Sequence, residues 1–172
     1  MLFALGRTRL REGDLVDALG ECHDRIRSFV QLAVTLSERV NDPSEEIAAA
    51  SSRIERYFSV AFPLHVADEE ASILPRLRGR SAKIDAALCA MRDQHDLHTK
   101  MVERLCGVAR AVGATPNDPR THRALGVIAR PLRSILQDHM AAEEAILFPA
   151  VRLYFSSDDS RLARREIEGR RR

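Results

Sequence analysis

A chain of 172 residues fits one domain and can bury roughly 70% of the surface its unfolded form exposes. With 45% hydrophobic and 30% charged residues, 8 Gly and 7 Pro, its composition is neither disordered, collagenous nor membrane-spanning. Lys+Arg at 27 against Asp+Glu at 25 leaves a formal charge of +2, too little for the broad electrostatic footprint of a nucleic-acid binder, and the lack of Trp makes any core mostly aliphatic.

Residues 1–13 read as an N-terminal arm whose apolar run ends before Arg7, too short for a signal-peptide core or a membrane span. Cys22, Cys89 and Cys106 stand far apart with no CxxC pair, which suits reduced thiols, so the expected location is the cytoplasm. Apolar residues then recur at spacings of three and four. The first helix is expected from Gly13-Asp14 to about Val40, where Asn41-Asp42-Pro43 forms a stop and a cap with Pro at the first helical position. A second runs from Ser44 to about Arg76. Gly79-Arg80-Ser81 turns into a third that fades at Gly113 to Pro116, and Asn117-Asp118-Pro119 opens a fourth lasting to about Tyr154. Ser156 to Asp159 start a short, Arg-rich tail helix over 156–172, expected to be a solvated cap. Short connections between long amphipathic helices imply an all-α, antiparallel up-down-up-down four-helix bundle over 14–155.

The bundle contains an internal repeat. His65-Val-Ala-Asp-Glu69-Glu70-Ala-Ser-Ile-Leu-Pro75 aligns without gaps on His139-Met-Ala-Ala-Glu143-Glu144-Ala-Ile-Leu-Phe-Pro149, each reading HxxxEExxxxP. Upstream, Glu21-Cys22-His23-Asp24 matches Asp93-Gln94-His95-Asp96, and the two Asn-Asp-Pro caps fall at similar places. The chain reads as two copies of one helical hairpin, each with a His on its first helix and HxxxE on its second.

On the first helix Val16, Leu19, His23, Ile26 and Val30 keep a 3-4-3-4 rhythm, the inward seam of a bundle. Leu88, Met91, His95, His98, Val102 and Leu105 do the same on the third, while His65 with Glu69 and His139 with Glu143 share helix faces. Glu70 and Glu144 are expected at or beyond the edge of that face, where substitution should matter much less. Four His and two Glu thus converge, and buried carboxylates without partners cost several kcal/mol each. Bound metal resolves the conflict for all six. Imidazole and carboxylate donors without thiolate suit iron or manganese better than a closed structural zinc site. Two shared carboxylates suggest two ions, one with His23 and His65, the other with His95 and His139, and Glu69 and Glu143 spanning both.

At these residues the sequence resembles the hemerythrin-like HHE cation-binding family, whose pattern is H…HxxxE…H…HxxxE on a four-helix bundle. The resemblance runs from about Asp14 to Tyr154. It implies a non-haem di-iron centre with an oxo or hydroxo bridge that takes up dioxygen when reduced, with His23, His65, Glu69, His95, His139 and Glu143 as ligands. The oxygen carriers of this family place a second His four residues after the first on the third helix. Here residue 99 is Thr and the extra imidazole is His98, at three. His98 can reach the same cofactor at a different angle, as a ligand, as a neighbour of the ligands or as a plain core residue, and the expectation carried forward is that it tunes the centre rather than creates it.

The remaining residues carry blander expectations. His122 reads as a surface residue, Tyr57 as core packing, and Pro63 and Pro131 as kinks within their helices. Phe62, Met91, Ile135 and Ile146 are expected to form an apolar wall that favours small gases. The functions that follow are a carrier, store or sensor of dioxygen or a related small oxidant; an oxidase or peroxidase-like enzyme served by an electron donor; or a bundle that metal merely holds together. Neither a nucleic acid nor a membrane is an expected partner.

Overall fold

The computed structural model describes residues 15–172, so the arm over 1–13 and the expected Gly13-Asp14 start lie outside the described residues. The rest is helical: α1 (Leu15–Leu36), α2 (Ser44–Arg56), α3 (Phe62–Asp68), α4 (Leu74–Leu77), α5 (Ala82–Ala114), α6 (Pro119–Tyr154) and α7 (Ser157–Gly169). Two π-helical segments, Tyr57–Ala61 and Glu69–Ile73, join α2 to α3 and α3 to α4, so that residues 44–77 form one continuous helical rod. No helix among the described residues is long and apolar enough to cross a membrane.

Capping chemistry sets most boundaries. Asp118 accepts from the Arg120 N–H with Pro119 at the first helical position, Ser81 accepts from the Ile84 N–H after Gly79 turns at φ +78°, and Ser156 with Asp159 forms a reciprocal capping box. Pro43 is itself the cap rather than the first helical residue, with α2 starting at Ser44, and α1 stops at Leu36 rather than near Val40. Beyond Leu36 the Ser37 hydroxyl donates to the Val34 carbonyl at 2.6 Å, the kind of local bond that competes with helix continuation. The second Asn-Asp-Pro turn clasps the first, Asn117 donating to the Val40 and Asp42 carbonyls at 2.7 and 3.2 Å.

The π segments explain how one rod accommodates two prolines. A helical proline lacks an N–H and its ring collides with the carbonyl four residues back. For Pro63 and Pro75 those carbonyls belong to Ser59 and Ala71, and each lies in a π segment, where the wider turn draws it aside. The Phe62 and Leu74 N–H groups correspondingly bond five residues back, to Tyr57 and Glu69. Pro131 sits inside α6 with no such segment. The two expected kinks thus differ in kind.

α1 packs on α2 and α6, and α5 on α2 and α6. The apolar interior forms two clusters. Along α1 the seam passes from Leu19 in one, through His23, to Ile26 in the other; along α5 it passes from Met91 through His95 and His98 to Val102. The order reverses from Phe62 through His65 and Glu69 to Ile73, and from Met140 through Glu143 to Leu147. A polar layer therefore divides the core.

Two expectations are corrected. His122 is buried, continuing the stripe of Leu125, Ala129, Leu132 and Leu136, with Nδ1 2.9 Å from the Leu36 carbonyl at the end of α1 and Nε2 2.6 Å from that of Pro116. The Leu36 carbonyl also accepts from the Arg39 N–H at 3.1 Å, so His122 adds a second bond at that helix end. The tail is more than a solvated cap, because α7 buries Ala163 and Ile167 and anchors on the rod. Arg170 bonds Asp68 at 2.9 Å and Ser72 at 2.7 Å, Arg171 also pairs with Asp68, and Arg76 grips Glu166 through two nitrogens.

Asp68 is a buried carboxylate whose cations come from the tail. Substituting Arg170 and Arg171 together by Ala should cost roughly 3 kcal/mol, since it strands that charge, and should lower the melting temperature by about 6–12 °C in a thermal scan.

Candidate metal centre

Four imidazoles and two carboxylates meet in the polar layer. His23, His65, Glu69, His95, His139 and Glu143 are all at least 95% buried, far beyond what unpaired ionisable side chains tolerate. α1 supplies His23, α3 supplies His65, the second π segment begins at Glu69, α5 supplies His95, and α6 supplies His139 and Glu143.

Each carboxylate offers one oxygen to each side. Glu69 Oε1 lies 3.8 Å from His23 Nε2 and 3.5 Å from His65 Nε2, while its Oε2 lies 3.3 Å from His95 Nε2. Glu143 mirrors this, with Oε2 3.3 Å from His23 Nε2 and Oε1 2.9 and 3.7 Å from His139 and His95 Nε2. Two groups result, His23-His65-Glu69-Glu143 and Glu69-His95-His139-Glu143, and within each the candidate donor atoms lie within 4.8 Å of one another. Despite this crowding, His23 Nε2, Glu69 Oε2 and both oxygens of Glu143 are buried without a hydrogen-bond partner. Orphaned acceptors aimed at a common space are what a cation satisfies, so the residues present fit a metal.

The outer ring nitrogens are held separately. His23 Nδ1 meets Glu144 at 2.8 Å, His95 Nδ1 meets Glu70 at 2.9 Å, and His139 Nδ1 meets Gln94 at 2.7 Å. A ring nitrogen facing a carboxylate or amide oxygen carries the proton, which leaves Nε2 free as a donor to metal. Glu70 and Glu144 are therefore not bystanders. Each lies one residue round from the inward face, which is where it must be to reach a His of the other repeat. The doubled Glu of HxxxEE was the signal that could have found them; Gln94 had none.

The structure brings together all six expected residues but leaves His98 outside both groups. The His98 ring packs edge-on against His139 with centroids 4.7 Å apart, and its Nδ1 is buried without a partner. Of the expected apolar wall, Phe62 and Met91 are buried, whereas Ile135 and Ile146 are half-buried. Phe62 is 6.3 Å from the His65 ring, and Phe148, which the spacing did not single out, stacks on His23 at 5.2 Å. Tyr57 is buried in the core and stacks on Phe29 at 4.0 Å.

The sequence matches the hemerythrin HHE cation binding domain over residues 14–151, and again over 90–169. The chain belongs to the hemerythrin HHE cation-binding family. Membership carries cation binding with it, and the buried His/Glu cluster is where this HHE domain can hold a metal. The overlapping second match fits the internal repeat. None of the curated proteins compared with the chain matches it.

Without metal, the cluster of this HHE domain balances its own charge. Burial works against charged imidazoles, but the neighbouring carboxylates prevail and raise His23 and His95 to about 10 and His65 to about 9. Burial likewise opposes the ionised carboxylates, and Glu69 is opposed by Glu143 too. The surrounding imidazoles nevertheless hold Glu69 below and Glu143 well below the usual range. His98 goes the other way, pushed down to about 4 by burial and by His139 and His95.

The pH dependence of the metal-free domain follows. Imidazoles raised on folding contribute stability that is full below their ordinary value of 6.5 and fades as pH climbs through 9 to 10. Depressed carboxylates contribute stability that is present above 4.5 and lost on acidification. The metal-free melting temperature should therefore peak between those two values and fall toward pH 10. Loading metal at pH 7 should release protons, visible with an indicator dye in weak buffer.

The outer carboxylates yield a separate expectation. Glu70→Ala and Glu144→Ala should each weaken metal binding about 10- to 100-fold in a competition titration with a chelator, with Gln milder because its carbonyl still accepts from the ring.

Proposed function

We propose that this chain is a di-iron protein that binds dioxygen or a related small oxidant, as a carrier, store or sensor. The observation that carries the reading is the division of labour at the two carboxylates, each with one oxygen toward His23 and one toward His95. His23 and His65 would hold one ion, His95 and His139 the other, with Glu69 and Glu143 bridging both. Nitrogen and carboxylate donors with few protein ligands per ion favour iron over a closed structural zinc site. Iron held this way supplies reversible redox chemistry toward small oxidants.

The chain's own residues do the rest. Glu144, Glu70 and Gln94 orient three of the four imidazoles, and the apolar clusters on either side of the polar layer keep bulk water out. A site so enclosed admits small molecules and refuses bulky polar ones. His98, kept neutral beside His139, lines the space without being required for the ligand set. The reversal of cluster order on successive helices supports an antiparallel up-down-up-down bundle over 14–155, with α7 as an appended strap. A cytoplasmic location and an external electron donor complete the proposal.

Protein produced with iron available should contain about two iron atoms per chain, by elemental analysis on samples whose anaerobically reduced optical spectrum changes on admitting air. Glu69→Ala or Glu143→Ala should lose iron, and with it the stabilisation that metal gives the folded state. His98→Ala should keep both irons while altering the spectrum or lifetime of the oxidised sample. One iron per chain, or zinc retained in preference when both are offered, would overturn the assignment.

A further inference from the structure

Three of the four metal-facing histidines have an outer partner, and His65 does not. Its Nδ1 is buried with no hydrogen bond, although the residue is only 2% exposed. The repeat indicates what stands in the vacant role. His139, its counterpart, is held by Gln94, the residue immediately before the metal-facing His95 of α5. The matching position in the first repeat, immediately before His23 of α1, is Cys22. Cys22 is half-buried and has no disulfide partner.

We propose that Cys22 is the positioning residue for His65, its sulfur holding the outer ring nitrogen as the Gln94 amide oxygen holds that of His139. One metal position then rests on a thiol and the other on an amide, while their inner ligands are alike. This extends the di-iron reading above and rests on it. Cys22 and His65 lie close enough to interact directly. Sulfur is a weaker, softer acceptor than an amide oxygen, so His65 should be the less firmly oriented of the two imidazoles. The first ion's position should accordingly be the more sensitive to change in its surroundings.

The test compares Cys22→Ala, Cys22→Gln and Gln94→Ala. Each metal-free protein is titrated with Co²⁺ by calorimetry and visible absorption, and the ring nitrogens of His65 and His139 are followed by ¹⁵N NMR before and after loading. Cys22→Ala should weaken one of two binding steps about 10- to 100-fold, Cys22→Gln should restore it, and Gln94→Ala should weaken the other step. In the metal-free samples, Cys22→Ala should shift the His65 ring signals and leave those of His139 in place.

Unchanged His65 signals in Cys22→Ala would overturn the inference, as would equal weakening by Ala and Gln, which marks a packing effect. A sulfur-to-cobalt charge-transfer band in wild type would also overturn it, by making Cys22 a ligand. Wild type that takes up fewer than two Co²⁺ would sink the two-ion reading instead, and the metal-free ring signals would still decide the role of Cys22.

Discussion

Everything in this bundle answers to two carboxylates that share one buried space. Glu69 and Glu143 face the same four imidazoles in a layer walled by apolar clusters, and neither can remain ionised there without positive charge close by. Protons on the imidazoles provide that charge when no metal is bound; a cation provides it when one is. The two are alternatives, because an imidazole nitrogen cannot hold a proton and a metal at once. The polar layer is therefore a place where protons exchange for metal, and the apolar clusters make that exchange costly to leave half-done.

Orientation is distributed between the repeats in a regular way. The His on the first helix of each repeat is held by the second Glu of the other repeat's HxxxEE, as Glu144 holds His23 and Glu70 holds His95. The His on the second helix looks to its own repeat, as His139 does to Gln94. Arg27 adds to this by pairing with Glu144 at 2.6 Å, which fixes the carboxylate that fixes His23. Because those Glu-His bonds run between repeats, neither hairpin can shift on the other without turning a metal-facing ring.

What the sequence made legible was whatever repeats along one helix. The 3-4 rhythm placed His23, His95 and His98 on buried seams, and the HxxxE spacing paired His65 with Glu69 and His139 with Glu143, because periodicity is a property of a single helix. Contacts that depend on how helices pair were out of reach. Glu70 and Glu144 looked peripheral because a helix-face argument treats the neighbouring helix as a wall rather than as a set of partners. His122 sits on the same rhythm as Leu125 and Ala129, but its place one turn into its helix reads as surface; the carbonyls its ring meets belong to Leu36 and Pro116. The tail was misjudged for a related reason, since its anchor, Asp68, is an acidic residue whose burial shows only once α7 is docked.

The differences between the repeats are as informative as the likeness, and they fall largely on the first. Asp68 and Ser72, the polar anchors of the tail, align with Ala142 and Ile146, so α7 has one rod it can dock on and not the other. Only the first repeat surrounds its His-Glu pair with π segments, and Glu69 lies at the first residue of one of them. α7 packs on that same segment, and its Arg170 binds Asp68 on one side of Glu69 and Ser72 beyond it. A π turn trades regular hydrogen bonding for a side-chain direction that an unbroken α-helix does not offer, and here the tail holds the irregular stretch in place. Two donor sets that match residue for residue are thus supported in different ways. The set on the first repeat depends on contacts made by α7 and by Arg170 and Arg171 just beyond it, so its geometry is fixed only once that helix has docked.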